Sequence, residues 1–145
     1  EDLLGYLLGR SHFQMLYRMR KVLDEQALED SHFFALSVLN IQQNLSLEQL
    51  NTHLDYTGHS VNLEDMAFLE KQDLICQKSE DNYQLTTAGR ETSLHHIAQA
   101  KVIEEELITE LGAGDVMALK LLLKRLIHQT DPGLPDLWST EDKSA

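Results

Sequence analysis

The sequence predicts a mainly α-helical protein with one small β-hairpin. Only two prolines and seven glycines interrupt its 145 residues, which leaves long segments free to be helical. Apolar residues recur at helical spacing along most of the chain, and a short alternating segment near the middle is typical of strands. A chain of this length can bury one core, so we expect residues 1–145 to form a single domain.

The first two predicted helices are apolar. Apolar residues three and four positions apart predict a helix over about 3–28. Its apolar stripe is wide, which is typical of a helix that packs on more than its own domain. Asp30-Ser31 then offers a cap for a short buried helix through Ile41.

A short helix, a turn and a further helix are predicted next. Ser46 and Gln49 fit a capping box that opens a helix ending near Leu54. Residues 55–58 read Asp-Tyr-Thr-Gly, a sequence typical of a turn. The helix that follows runs to about Gln72.

A hairpin and two helices complete the predicted order. Residues 74–77 and 83–85 are the strands, joined by a polar tip. Thr86 or Thr87 caps a helix over roughly 87–111, which the Gly112-Ala113-Gly114 segment stops. A last helix opens at Asp115 and ends at Asp131-Pro132-Gly133. We expect residues 131–145 to be a loose tail in which Leu137-Trp138 can dock.

Two motifs in this order of elements resemble the MarR-type winged helix-turn-helix transcriptional regulators. The segment LEKQDLI at 69–75 resembles the family's passage from the recognition helix into the wing. The segment LTTAGR at 85–90 resembles its passage out of the wing. The resemblance covers about residues 3–130.

The resemblance implies both an architecture and a function. It implies a winged helix-turn-helix at about 30–90, with long dimerisation helices at about 3–28 and 87–130. It also implies a homodimer that regulates transcription on double-stranded operator DNA and responds to a small aromatic or anionic effector.

Candidate DNA contacts lie on the short helix, the recognition helix and the wing. A helix N-terminus favours phosphate, small polar side chains reach bases, and lysines and amides contact the DNA backbone. The candidate residues are Ser46, Thr57, His59, Ser60, Asn62, Lys71, Lys78 and Asn82.

The charge favours a different function. The net charge is −12, and between Asp55 and Lys71 there are four acidic residues and one basic residue. Glu64 stands where the family commonly has arginine, Asp73 replaces a glycine, and residues 76–85 are too few for the family's DxR wing motif. The alternative is a degenerate winged helix that has lost DNA binding and acts by protein–protein interaction, for example by sequestering another regulator.

A ligand pocket and a metal site are further candidates, and ordinary packing and hydrogen bonding are the alternatives to them. Aromatic side chains with polar tips suit a small aromatic ligand, although core and dimer packing would select them too. The candidate pocket residues are Tyr6, His12, Phe13, Tyr17, Phe33 and Phe34. The sequence has seven histidines, and the candidates for a metal site are His12, His32, and His95 or His96, together with Glu29 or Asp30. No pair shows the i, i+4 spacing of helical zinc sites, so we expect solvated or hydrogen-bonded histidines and no metal.

The remaining patterns exclude several classes of protein. No catalytic motif pairs a nucleophile with a base, so we expect neither an enzyme nor a cofactor. Cys76 is expected to be a buried structural thiol rather than a redox sensor. No apolar run reaches the roughly 18 residues of a membrane span. The first residues also lack a signal-peptide pattern, so we expect a cytoplasmic protein.

Overall fold

The computed structural model describes residues 3–130 and confirms the predicted fold class. The predicted tail at 131–145, with Leu137-Trp138, lies outside the described residues. The elements are α1 (Leu4–Asp24), α2 (Asp30–Gln42), α3 (Leu47–Leu54), α4 (Leu63–Lys71), β1 (Ile75–Ser79), β2 (Asn82–Leu85), α5 (Thr87–Leu111) and α6 (Ala113–Thr130). A 3-10 turn over Asp55–Thr57 follows α3.

The end of α1 differs from the prediction. The helix ends at Asp24 rather than near residue 28, because the chain becomes left-handed at Ala27, where φ is 55°. The N–H of Leu28 donates to Leu23 O over 3.0 Å, and this hydrogen bond closes the C-terminal turn of α1. Glycine would have marked this turn in the sequence, and alanine does not.

Three helix termini are formed by residues that the sequence analysis singled out. The Ser46 hydroxyl accepts from the N–H of Gln49 over 3.1 Å, and the Gln49 side chain accepts from the N–H of Ser46 over 2.9 Å. Asp73 closes α4 at a φ of 60°, and Gly112 closes α5 at a φ of 87°. The capping box and the α5 stop are therefore confirmed, and Asp73 adopts the left-handed conformation that glycine usually adopts at a helix end.

The described residues form two compact units, one up to Ile103 and one from Glu104. In the first unit, helices α2, α3 and α4 bury a core of aliphatic side chains. Its fully buried members include Leu36, Leu39, Leu50, Leu54, Met66 and Leu69. In the second unit, Val116 is buried and Lys120 forms an ion pair with Glu104. Among residues 3–130, none of the helices has the length and apolar content to cross a bilayer.

The hairpin packs against the segment that precedes α3. Strands β1 and β2 are antiparallel, with Ile75 opposite Leu85 and a bulge between Gln77 and Ser79. Tyr83 also forms a bridge with Leu45. Both strands are longer than predicted, so the polar tip shrinks to the two residues between them.

Candidate functional site

The loop between α3 and α4 is held by the side chain of Asn51. Its Nδ2 donates to Val61 O over 2.8 Å, and its Oδ1 accepts from the N–H of Val61 over 2.9 Å. The Val61 side chain is buried. Bonds to both backbone groups of one residue hold the start of α4 against α3. Sequence reasoning missed Asn51, because one asparagine inside a helix carries no pattern of its own.

A reciprocal pair of side chains begins α4. Asn62 Oδ1 accepts from the N–H of Asp65, and Asp65 Oδ2 accepts from the N–H of Asn62, each over 2.9 Å. This capping box makes Leu63 the first residue of the helix. Asp65 Oδ1 lies 3.1 Å from Nε2 of His32, a buried residue of α2. The Asp65 carboxylate therefore points inward.

The exposed face of α4 mixes apolar and charged side chains. Met66 and Leu69 are buried, whereas Leu63 is 67% exposed at the N-terminal end. The other exposed residues of the helix are Glu64, Ala67, Glu70 and Lys71. This face can offer an apolar contact, two carboxylate acceptors and one ammonium group.

The tip of the hairpin reaches the first turn of α3. Asp81 has a φ of 60°, and its Oδ1 accepts from the N–H of Leu47 over 3.4 Å. The Ser46 hydroxyl caps the same turn. The partial positive charge at this helix N-terminus is thus already met by a carboxylate and a hydroxyl.

An acidic cleft of about 520 Å³ lies where α1, α2 and the loop before α4 meet. Its lining residues are Arg20, Asp24, Leu28, Glu29, Asp30, Ser31 and His59. Arg20 approaches Asp30 to 3.6 Å. The ring of His59 stacks on Phe34, with centroids 5.0 Å apart and planes at 27°. Three carboxylates against one guanidinium group leave the cleft with a net negative charge.

Comparison with solved structures identifies this arrangement. The reduced form of Escherichia coli MarR has a TM-score of 0.75 at 20% identity, covering 88% of this chain and 95% of that one. NadR in complex with 4-hydroxyphenylacetate gives 0.72 at 18%, covering 90% and 98%. The Mycobacterium tuberculosis MarR-family protein Rv2887 in complex with DNA gives 0.71 at 22%, covering 87% and 98%. The chain has the MarR winged-helix fold. No protein-family profile and no curated protein sequence matches it.

In winged-helix proteins the helix at the position of α4 is called the recognition helix, and the hairpin at the position of β1–β2 is called the wing. We call residues 46–86, which include both, the reading head. Its acidic residues are Glu48, Asp55, Glu64, Asp65, Glu70, Asp73, Glu80 and Asp81, and its lysines are Lys71 and Lys78. Eight acids and two bases give the reading head a net charge of −6 with histidine neutral.

The structure places four of the predicted DNA contacts, Thr57, His59, Asn62 and Ser46, in internal hydrogen bonds or stacking. The Thr57 hydroxyl donates to Leu54 O over 2.7 Å and accepts from the N–H of His59 over 3.1 Å. His59 stacks on Phe34, and Asn62 caps α4. Ser46 caps α3, and Asn82 is half-buried in β2. The other three, Ser60, Lys71 and Lys78, are exposed.

The predicted pocket residues are spread over two regions of the first unit. Tyr6, His12, Phe13 and Tyr17 are exposed along α1. In α2, Phe33 is buried and Phe34 is half-buried; their rings lie 5.1 Å apart. None of the six lines the acidic cleft described above, although Phe34 supports its His59. The cleft was missed because its residues come from three separate segments and are mostly charged.

The histidines and the cysteine have local partners. His32 bonds to Asp65, and His96 lies buried with Nε2 3.0 Å from Oε1 of Gln26. Among residues 3–130, no three histidine, cysteine or acidic side chains are grouped to hold a metal ion. Cys76 is half-buried rather than fully buried, and Nε2 of Gln84 donates to its Sγ over 3.5 Å.

Burial dominates the chemistry of His96. Removal from water, and then the neighbouring His95, lower its pKa from 6.5 to about 4. Its Nδ1 is buried without a hydrogen-bond partner among the described residues. A proton on Nδ1 would have no acceptor there, so this imidazole is neutral at pH 7.

Proposed function

We propose that the chain is a cytoplasmic, homodimeric transcriptional regulator that contacts operator DNA through α4. The observation that carries the proposal is the exposed face of α4, presented by a helix-turn-helix that Asn51 and the Asn62–Asp65 capping box hold rigid. The similar structure of Rv2887 is a complex with DNA, which supports carrying this use of the fold to the present chain.

The exposed face of α4 has groups that can read a major groove. Leu63 and Ala67 are suited to contact thymine methyl groups. Glu64 can accept from the N4 amino group of cytosine, and Lys71 can bind phosphate. Ser60 and Asn62 precede this face, and Lys78 adds a cation on the wing.

A homodimer explains apolar surface that one chain leaves open to water. Phe13 on α1 is 65% exposed and Met117 on α6 is 73% exposed. Other large apolar residues exposed on α1, α5 and α6 include Leu4, Leu94, Leu111, Leu121 and Leu122. Helices with this much exposed apolar surface are typical of an interface between two copies.

The oligomeric state can be tested by light scattering during size-exclusion chromatography. Met117→Glu places a charge on the exposed apolar face of α6, so we expect a dimeric wild type and a folded monomeric variant. Gln77→Glu adds the same charge on the wing and should remain dimeric. A monomeric wild type would contradict this part of the proposal.

A small aromatic effector is the ligand class we propose. NadR has been solved with 4-hydroxyphenylacetate, and in the present chain the cleft beside His59 and Phe34 is the proposed place for such a molecule. The carboxylates that line this cleft favour binding of an aromatic amine over binding of an aromatic acid. Thermal denaturation with tyramine and with 4-hydroxyphenylacetate tests this, and Asp24→Asn should weaken the tyramine effect.

DNA binding is tested by titrating the protein with sheared genomic DNA at increasing salt. We expect an affinity that falls with salt, since phosphate contacts release counterions. Lys71→Ala and Lys78→Ala should each weaken binding and reduce the salt slope by about one. Lys101→Ala, an exposed lysine of α5, is the matched control and should leave binding unchanged.

A second candidate function is favoured by the net charge of −6 on the reading head. In addition, Asp81 occupies the α3 N-terminus where phosphate would bind. Both features suit a basic protein surface better than a duplex. Salt at about 20 mM screens charge interactions only weakly. If the protein binds no DNA under that condition, this second function is favoured. A basic protein that co-purifies with the wild type, but not with Glu64→Lys or Glu70→Lys, would also favour it.

A further inference from the structure

One buried side chain joins the first turn of α2 to the first turn of α4. His32 lies on α2 and is 5% exposed. Its Nδ1 accepts from the N–H of Glu29 over 3.0 Å, and its Nε2 lies 3.1 Å from Oδ1 of Asp65 on α4. Glu29 also lines the acidic cleft.

The donors and acceptors around His32 leave one arrangement for its ring. Because Nδ1 accepts from Glu29, it carries no hydrogen, so the ring hydrogen is on Nε2 and points at the carboxylate. Asp65 Oδ2 in turn accepts from the N–H of Asn62. Three hydrogen bonds therefore run in series from the end of the α1–α2 linker to the residue that caps α4. The one between the helices ends on a carboxylate, a strong acceptor.

The same ring makes a second contact with α4. His32 and Phe68 stack with centroids 5.1 Å apart and planes at 24°. Asp65 and Phe68 are three residues apart, which places them on one face of the helix. A planar ring that both bonds and stacks on that face limits the rotation of α4 as well as its distance from α2.

We propose that His32 is a positioning residue for the recognition helix. Through Asp65 it sets the orientation of α4 relative to α2, and thereby the direction in which Leu63, Glu64 and Lys71 point. The proposal goes beyond the proposed function, because α4 must be held in place whether the reading head meets DNA or a basic protein.

Two substitutions separate hydrogen bonding from space filling. Both His32→Asn and His32→Gln remove the ring and its stacking on Phe68. The shorter amide of asparagine can still accept from the N–H of Glu29, but it does not reach Asp65. The longer amide of glutamine has an oxygen for Glu29 and an N–H for Asp65, spaced much like the two ring nitrogens.

The measurement is amide hydrogen exchange of the full chain by NMR, which reports local opening of a helix turn. In His32→Asn we expect the amides of Asp65 and Met66 to exchange about tenfold faster, since one charge-assisted hydrogen bond is lost. His32→Gln should restore most of the protection. The amide of Leu50 in α3, which donates to Ser46 O, should be unchanged and serves as the internal reference.

A second variant perturbs the link from the other side while leaving the ring in place. In Asp65→Asn, one amide oxygen replaces two carboxylate oxygens, while N–H groups of His32 and Asn62 both point at the side chain. One of the two bonds must be lost, so the first turn of α4 should again exchange faster. Glu91→Gln removes an exposed carboxylate from α5, outside the reading head, and should leave exchange in the first turn of α4 unchanged.

Two results would overturn the proposal. Equal acceleration in His32→Asn and His32→Gln would mean that the ring only fills space. Unchanged exchange in both His32→Asn and Asp65→Asn would mean that other contacts hold α4. Hydrogen exchange tests the role of His32 whether or not the wild type binds DNA. The DNA titration tests the proposed function, so failure of one proposal can be told from failure of the other.

Discussion

Gly89 is the position where the contact between α5 and the base of the wing leaves no room for a side chain. A Cβ atom built on Gly89 would lie 1.8 Å from Leu74 O and 2.7 Å from Leu74 C. The same carbonyl accepts from the N–H of Thr86 over 3.1 Å. Because an ordinary carbon–oxygen contact is about 3.3 Å, Gly89→Ala must move one backbone segment by about 1.5 Å.

The cost of Gly89→Ala follows from these contacts. Overpacking of this severity belongs at the upper end of the usual range, about 3 kcal/mol. Loosening the Thr86–Leu74 hydrogen bond adds about 1 kcal/mol, and replacing glycine by alanine in a helix returns about 1 kcal/mol. We therefore expect a net loss of about 3 kcal/mol in the free energy of unfolding, or a melting temperature lower by about 10 °C for a chain of this size.

Urea denaturation and thermal melting followed by circular dichroism measure this loss. Gly9→Ala is the matched control, because Gly9 also lies inside a helix and its added Cβ would meet nothing within 4 Å. That variant should be more stable by about 0.5–1 kcal/mol. Both variants are compared with the wild type at one protein concentration. A Gly89→Ala protein as stable as Gly9→Ala would refute the reasoning.

Three further predictions concern single side chains. His96 is neutral when folded, with a pKa near 4 against 6.5 unfolded, so its contribution is present above pH 6.5 and is lost as the pH falls toward 4. The loss approaches about 3 kcal/mol, and urea midpoints of His96→Gln should fall less steeply with acidification than those of the wild type. Asp73→Gly relieves a left-handed φ of 60° and should raise the free energy of unfolding by about 1 kcal/mol; an unchanged urea midpoint would contradict this. Ser46→Ala removes the α3 cap and should lower that free energy by about 1 kcal/mol, with the loss visible as faster exchange of the Gln49 amide.

Features that depend on near neighbours in the chain could be predicted from the sequence. Ser46 and Gln49 are three residues apart, so their capping box is visible as a pattern. Gly112 marks the end of α5 in the same way. The end of α1 at Asp24 could not be predicted, because the left-handed turn at Ala27 depends on backbone geometry that no residue type marks in the sequence.

The candidate site needed contacts between distant parts of the chain. Asn51 and Val61 are ten residues apart, His32 and Asp65 are 33 apart, and Leu47 and Asp81 are 34 apart. Each of these residues is an ordinary polar side chain when considered alone. The sequence therefore gives the number of acidic residues in the reading head, but it does not show which of them are bonded internally and which are exposed. Only the folded chain distinguishes Asp65, which bonds inward to His32, from Glu64, which remains exposed.

The sequence by itself determined the order of the elements, the mainly helical class with one hairpin, and the excess of acidic over basic residues. These follow from periodicity, local capping and composition, which act over a few residues or need no geometry at all. The tertiary structure alone decided where α4 begins, which carboxylates are turned inward, and which residues line the cleft. Those features depend on hydrogen bonds and packing between separate segments, and such partners meet only when the core brings α2, α3, α4 and the wing together.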